Sequence, residues 1–235
     1  MSPSNGPRLL IGALLLMMAA WAGFRLHASR SQPPAFVAVP AGRASPSIPS
    51  DSAGEPALPA GSLLGTPIPS QLPSFSINDL QGHPTTAAAW SGKSLVLNFW
   101  ATWCGPCQRE VPLLQALSTE WSGRNVAVVG IAVDHRDQVQ SFAERFKIGY
   151  PLLVGEQDAL DLAAKLGLGS PVFPFTVFAD RRGQVVALFV GELHRPQADL
   201  ILSVLQELNQ DKVQLPDARH LIADGLEKLG DKLSS

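Results

Sequence analysis

The feature that most limits how this chain can fold is a buried strand that leads directly into a helix at the only two cysteines of the chain. Residues 94–100 (SLVLNFW) form a largely apolar run of strand length, which is typical of a strand buried on both faces. From Val111 onward, the next residues place apolar side chains at helical spacing. Cys104 and Cys107 therefore lie at the start of the predicted helix, about one turn apart.

Strand and helix patterns alternate through the following residues. This order predicts an α/β fold with a central mixed β-sheet flanked by helices, in which the crossover strands are parallel and the last hairpin is antiparallel. Two short strands around a glycine turn add an N-terminal β-hairpin extension. The strand patterns lie at 75–86, 94–100, 125–134, 150–155 and 175–191, and the helix patterns at 107–121, 137–146, 157–168 and 196–210.

Residues 1–26 are predicted to direct the chain to a membrane. The run from Leu9 to Phe24 has no charged residue. As a helix it would be about 24 Å long, slightly short of a bilayer core. Two interpretations stay open: a single-pass signal anchor in the bacterial cytoplasmic membrane, or a secretory signal that is cleaved at the small residues Ala20 and Ala22. Both place the remaining chain outside the cytoplasm, tethered in the first case and soluble in the periplasm in the second.

The rest of the chain divides into three parts. Residues 27–69 are rich in Pro, Ser and Ala and show no helical or alternating period, which predicts a flexible linker. Residues 70–210 contain the alternating elements and are predicted to form one domain. Residues 211–235 show some helical spacing, but the sequence leaves the role of this C-terminal extension open.

The charge distribution excludes one class of partner. The net charge is −2, and the longest run of basic residues is the pair Arg181-Arg182. Binding to nucleic acid needs clustered Lys and Arg, so no nucleic-acid partner is predicted.

The two cysteines are predicted to form a redox-active pair. A structural zinc site needs four ligands, and the five histidines are scattered along the chain, so neither a metal nor another cofactor is predicted. A disulfide that closes so short a loop stabilises a fold little, because the entropic gain grows with loop length. Free N–H groups and the dipole at a helix N-terminus favour a thiolate. Cys104 is therefore the predicted nucleophile, and Cys107 the thiol that resolves the mixed disulfide.

The residues around the cysteines resemble a known family. The motif WCGPC (103–107), with LVLNFWAT before it and QREVP after it, is similar to the membrane-anchored TlpA/ResA/CcmG-like thiol-disulfide oxidoreductases of the thioredoxin superfamily. The resemblance extends from about Ser74 to Asn209 and implies a thioredoxin fold. It also places Pro174, within VFPFTVFADRRGQVV, at the cis-proline position of the family.

The resemblance implies where substrates dock. Residues that flank the cis-proline touch substrate in this family, so Phe173, Pro174 and Phe175 are expected to form an apolar docking surface. Phe175 stands where the family often has Thr. Trp103, directly before the first cysteine, is expected to line the lip of the site.

The resemblance also suggests an acid–base residue. Thioredoxins carry a buried Asp where this chain has Asn98, which cannot take a proton. The TlpA-like family instead has a Glu three residues after the second cysteine, which here is Glu110. Its carboxylate is expected to influence the thiol pKa of Cys107 and to shuttle its proton. The alternative is a surface Glu that the helix dipole favours in the first turn.

The direction of the chemistry is predicted to be reductive. Gly105 and Pro106 form the dipeptide found in reducing thioredoxins, whose potentials lie near about −270 mV, against about −120 mV for a strong oxidant. A reductant in an oxidising compartment needs a transmembrane thiol donor, and a membrane tether would keep it close to one. The resemblance implies exported clients, such as apocytochrome c or the copper-site cysteines of an oxidase subunit.

Three alternatives stay open. An oxidase or isomerase of the same fold would reverse the direction of the reaction. A Cu(I) chaperone would use both sulfurs as soft ligands, but all three Met residues lie within residues 1–18. A thiol peroxidase would need a Pro/Thr/Arg pocket, and although Thr102 lies two residues before Cys104, the local proline is missing.

Overall fold

The computed structural model describes residues 68–170 and 172–234. The predicted membrane segment (1–26) and almost all of the predicted linker (27–69) lie outside the described residues. Among the residues that are described, no helix is long and apolar enough to cross a membrane.

The described part contains seven strands and five α-helices. The strands are β1 (Ile77–Asp79), β2 (Pro84–Thr85), β3 (Ser94–Trp100), β4 (Val126–Ala132), β5 (Leu152–Val154), β6 (Phe175–Ala179) and β7 (Val185–Val190). The helices are α1 (Gly105–Ser122), α2 (Arg136–Phe146), α3 (Gln157–Lys165), α4 (Arg195–Asn209) and α5 (Leu215–Ser234), and a short 3-10 helix spans Ala87–Trp90. The predicted alternation of strands and helices is therefore confirmed.

All seven strands join one mixed sheet in the order β2-β1-β5-β4-β3-β6-β7. The three central strands β3, β4 and β5 are parallel, and β6 and β7 form the predicted antiparallel hairpin beside β3. The N-terminal hairpin β1–β2 extends the opposite edge through an antiparallel pairing of β1 with β5. The predicted α/β fold with a central mixed sheet is confirmed.

Strand β3 contributes to two separate cores, because successive side chains of a strand point to opposite faces. Val96 and Trp100 belong to the core that contains the apolar residues of α1, α2, α4 and α5. Leu97 and Phe99 belong to the second core, with α3 and β1. Every residue of β3 is buried, as the apolar run predicted.

The C-terminal extension forms part of the folded domain. Helix α5 packs on α4 and buries Ala218 and Ile222 in the same core as α1. Its Arg219 donates hydrogen bonds to the carbonyl of Val185 (2.6 Å) and, more weakly, to the carbonyl of Pro69 (3.3 Å). Residues 215–234 thus fasten the first residue of β7 to the segment where the described chain begins.

Candidate active site

The disulfide lies where β3 passes into α1. Cys104 is the N-cap of α1, and its Sγ accepts a hydrogen bond from the backbone N–H of Cys107 (3.2 Å). Cys104 and Cys107 are joined, with their Cα atoms 5.3 Å apart. Pro106 occupies the first turn of the helix, where its missing N–H breaks no helical hydrogen bond. The predicted low pKa of Cys104 concerns the dithiol form, in which this same N–H group would face a thiolate.

An aspartate that the sequence analysis missed holds the loop before the cysteines. The buried carboxylate of Asp134 accepts hydrogen bonds from both the backbone N–H (3.1 Å) and the hydroxyl of Thr102. On the other side, the Gln108 amide donates to the Thr102 carbonyl (2.8 Å). Asp134 follows β4 closely, and the carboxyl ends of parallel strands meet at one edge of a sheet. The place of Asp134 just after a predicted buried strand could therefore have indicated its role from the sequence.

An apolar lip surrounds the entrance to the disulfide. The side chain of Trp103 is 69% exposed, and its ring meets the half-buried ring of Phe173 edge-on at a centroid distance of 6.2 Å. Val172 is also largely exposed. Two segments that are distant in sequence thus form one apolar surface beside the cysteines, in line with the expectation for Trp103 and Phe173.

The peptide bond between Phe173 and Pro174 is cis, which confirms that prediction. The expected docking role of the Phe175 side chain is contradicted, because this residue is fully buried and stacks on Phe99 at 4.2 Å. The physical reason is the sheet register, which pairs Phe175 with Phe99 and turns both rings into the second core. Pro174 is also buried, so Phe173 is the only residue of the three whose ring is partly exposed.

The alternative interpretation placed Glu110 on the helix surface. Instead, its side chain is buried beneath α1, with 1% exposure. The amide of Asn98 donates one hydrogen bond to Glu110 Oε1 (3.1 Å) and another to the hydroxyl of Thr176 (3.0 Å). Glu110 Oε2 has no hydrogen bond of good geometry in the described part of the chain. Asn98 thus acts as a donor to the carboxyl group of Glu110.

Burial changes the proton affinity of this carboxyl group. Removal from water raises the pKa of Glu110 from 4.5 to about 8, and the nearby negative charge of Glu192 adds to the increase. The backbone N–H of Leu193, the Asn98 amide and the Thr176 hydroxyl oppose it. A group with a pKa near neutrality, one helical turn from Cys107, can accept the thiol proton and later release it.

The structure brings together most of the predicted site residues at one end of the sheet. Cys104, Cys107 and Glu110 follow one another along the first turns of α1, and Trp103 joins them to Phe173. In the described part of the chain, no three His, Cys, Asp or Glu side chains lie close enough to hold a metal ion.

Curated relatives share this domain. The thiol-disulfide oxidoreductase ResA of Geobacillus kaustophilus is 33% identical over 125 residues, which cover 53% of this chain and 70% of that protein. The thioredoxin-like protein YneN of Bacillus subtilis is 31% identical over 133 residues, which cover 55% of this chain and 75% of YneN.

Solved structures and a family model agree on the fold. A candidate thiol:disulfide interchange protein DsbE of Chlorobium tepidum matches with a TM-score of 0.51 at 20% identity, over 60% of this chain and 95% of that one. A candidate protein disulfide isomerase of Bacteroides thetaiotaomicron matches with a TM-score of 0.51 at 27% identity, over 62% and 89%. The model of the AhpC/TSA family matches residues 68–195, more than half of the chain, and the protein therefore belongs to this family of thioredoxin-like proteins.

Proposed function

We propose that this protein, which is a thiol-disulfide oxidoreductase, reduces disulfides of exported client proteins. The observation that supports it most is the Cys104–Cys107 disulfide at the N-terminus of α1, with the buried carboxyl group of Glu110 one turn further on. The names of the relatives ResA and YneN agree with disulfide chemistry on a thioredoxin-like domain. The apolar lip at Trp103 and Phe173 offers a surface for an extended client segment.

The reaction starts from the dithiol form of the site. The Cys104 thiolate attacks one sulfur of the client disulfide, forming a mixed disulfide and releasing the other client sulfur as a thiolate, which takes up a proton. Glu110, in the fraction of molecules in which it is ionised, then accepts the proton of the Cys107 thiol. The Cys107 thiolate attacks Cys104 Sγ and releases the second client thiolate, to which Glu110 returns the proton directly or through solvent. The client gains two electrons, and the protein is left with the disulfide seen in the structure.

A thiol donor must then return two electrons to the Cys104–Cys107 disulfide. We place this donor in the cytoplasmic membrane and the domain on its outer side, tethered by residues 1–26 through the linker 27–69. The Gly105-Pro106 dipeptide supports the reducing direction, as it does in thioredoxin. Clients of the type that matures cytochrome c or a copper site fit a reductant working in an oxidising compartment.

Trapping of mixed disulfides tests both the activity and the assigned roles. A Cys107→Ser variant lacks the resolving thiol, so clients should accumulate as adducts on Cys104, visible on non-reducing gels and identifiable by mass spectrometry. The matched control is Cys104→Ser, which keeps one thiol in the same site and should trap far less. Absence of adducts on Cys107→Ser, or equal trapping by both variants, would contradict the proposal.

A further inference from the structure

The four-residue loop between β7 and α4, residues 191–194, touches three parts of the site at once. The backbone N–H of Gly191 donates to the carbonyl of Pro174 (2.9 Å), and the backbone N–H of Leu193 lies close enough to the carboxyl group of Glu110 to lower its pKa. Between them, the carboxylate of Glu192 accepts hydrogen bonds from Arg109. Gly191 has φ 105°, a conformation that favours glycine and makes this close turn possible.

Arg109 and Glu192 form a fork-like pair across the site. The Nε atom of Arg109 donates to both carboxylate oxygens of Glu192, at 3.2 and 3.0 Å, and Nη2 donates to Oε2. Arg109 directly precedes Glu110 on α1, and Glu192 directly precedes Leu193. The Arg109 side chain is mostly exposed, so the pair adds little to stability by itself. Its geometric effect is to fix the loop against the helix at the level of Glu110.

We propose that Arg109 and Glu192 are positioning residues for proton transfer at Glu110. Their ion pair holds the Leu193 N–H and the Glu192 carboxylate at fixed places beside Glu110, while Cys107 gives up its proton. This inference rests on the proposed function, in which Glu110 accepts that proton. The same loop binds the carbonyl of the cis-proline Pro174, so one segment contacts both this residue and the proton acceptor.

The groups that face Glu110 determine what each substitution should do. On the loop this group is Glu192, which in turn pairs with Arg109, the residue before Glu110 on α1. Asn98 and Thr176 are neutral. Tyr150, before β5, also stays neutral, because burial and Glu110 raise the pKa of its phenol. Glu192 is therefore the nearby negative charge, and Arg109 is the cation that balances it.

Opposite charge changes should therefore have opposite effects. Glu192→Gln removes the negative charge and should move the Glu110 titration to lower pH. Arg109→Gln leaves the negative charge of Glu192 unbalanced and should move it to higher pH. Each change should alter the rate of mixed-disulfide resolution at pH 7 by a factor of about three, which is the size expected from one nearby, partly screened charge. The double variant should behave like Glu192→Gln, because Arg109 acts through Glu192.

Two measurements test this inference. The carboxyl 13C shift of Glu110 is followed from pH 5 to 10 in the oxidised protein, where no turnover is needed. The reduction of a disulfide-bonded peptide is followed by stopped flow over the same range. Glu120→Gln is the matched control, because it removes an exposed carboxylate of the same helix that pairs with Arg195 in the same fork-like way. This control should move neither profile.

Midpoints that move in opposite directions in both measurements would support the positioning role. If the unmodified protein reduces the peptide normally but the midpoints of the two variants stay unchanged or move in the same direction, the positioning role alone is overturned. An unmodified protein that reduces no disulfide peptide would overturn the proposed function together with the role assigned here.

Discussion

The two faces of the central sheet differ in the side chains that they bury: one holds a polar group and the other an apolar core. On the face covered by α1 and α4, the chain buries Asn98, Glu110 and Thr176 in one hydrogen-bonded group. On the face covered by α3, the neighbouring residues Phe99 and Phe175 stack in an apolar core. The alternation of side chains along β3 and β6 separates the two.

The difference shows where this fold tolerates polar groups without full hydrogen bonding. Glu110 Oε2 and the indole N–H of Trp100 are buried without a partner in the described residues, and Trp100 shares a core with α1. Gly130, beside Asn98 in the β3–β4 register, makes room there, since a Cβ atom would lie 2.6 Å from Leu152 Cδ2 and 3.0 Å from the Trp100 nitrogen. Unsatisfied groups of this kind are expected at functional sites rather than in purely structural cores.

The largest stability effect should come from the apolar face. Phe99→Ala removes a fully buried ring that stacks on Phe175, and should lower the free energy of unfolding by roughly 4 kcal/mol. Because this ring lies on the opposite face from Glu110, the pH dependence of disulfide reduction should not change. Urea unfolding and a pH–rate profile check the two parts. A shifted profile would show that the two faces are not independent.

On the polar face, by contrast, a substitution at Glu110 should raise the free energy of unfolding at alkaline pH. Between pH 4.5 and about 8, the unfolded chain has lost the Glu110 proton while the folded protein keeps it. Folding therefore takes up a proton, and stability falls as pH rises through this window. Glu110→Gln removes this loss and should gain roughly 3 kcal/mol relative to the parent between pH 5 and pH 8. Urea unfolding at both pH values measures it, and a gain independent of pH would contradict the assignment.

Removal of the donor should show how far Glu110 depends on it. Asn98→Ala deletes the amide that serves both Glu110 and Thr176, and should cost roughly 2 kcal/mol of unfolding free energy. It should also raise the pKa of Glu110 further, because a hydrogen bond to the charged form is lost. Urea unfolding and the carboxyl titration measure both, and an unchanged titration would show that Asn98 does not stabilise the carboxylate.

The smallest change should come from Thr176→Val, which keeps the shape of the side chain. The acceptor of the second Asn98 N–H is lost, together with the smaller effect of the hydroxyl on Glu110, at a cost of roughly 1 kcal/mol. The bond from Asn98 to Glu110 stays, so the Glu110 titration should move less than in Asn98→Ala. The Glu110 carboxyl titrations of Thr176→Val and Asn98→Ala, recorded under the same conditions, measure this difference. An equal or larger shift in Thr176→Val would mean that Thr176 contacts the carboxylate more strongly than Asn98 does.

Local patterns were enough to predict the elements but not what they place together. The apolar run 94–100 and the cysteine spacing predicted the strand-to-helix junction, because both depend on neighbouring residues. The burial of Phe175 depends on its pairing with Phe99, about eighty residues away in sequence, which no local period reveals. The burial of Glu110 depends on packing against Asn98 and Thr176, and its closeness to the Leu193 N–H depends on how the β7–α4 loop closes.

The central claim is that the Cys104–Cys107 pair delivers electrons to clients, and its reduction potential tests that claim most directly. The purified protein is equilibrated with dithiothreitol or glutathione redox buffers at pH 7, and the fraction of disulfide is read after alkylation of free thiols. We expect a potential near that of thioredoxin, at about −270 mV. A potential above about −150 mV, towards that of a strong oxidant, would contradict the reducing direction.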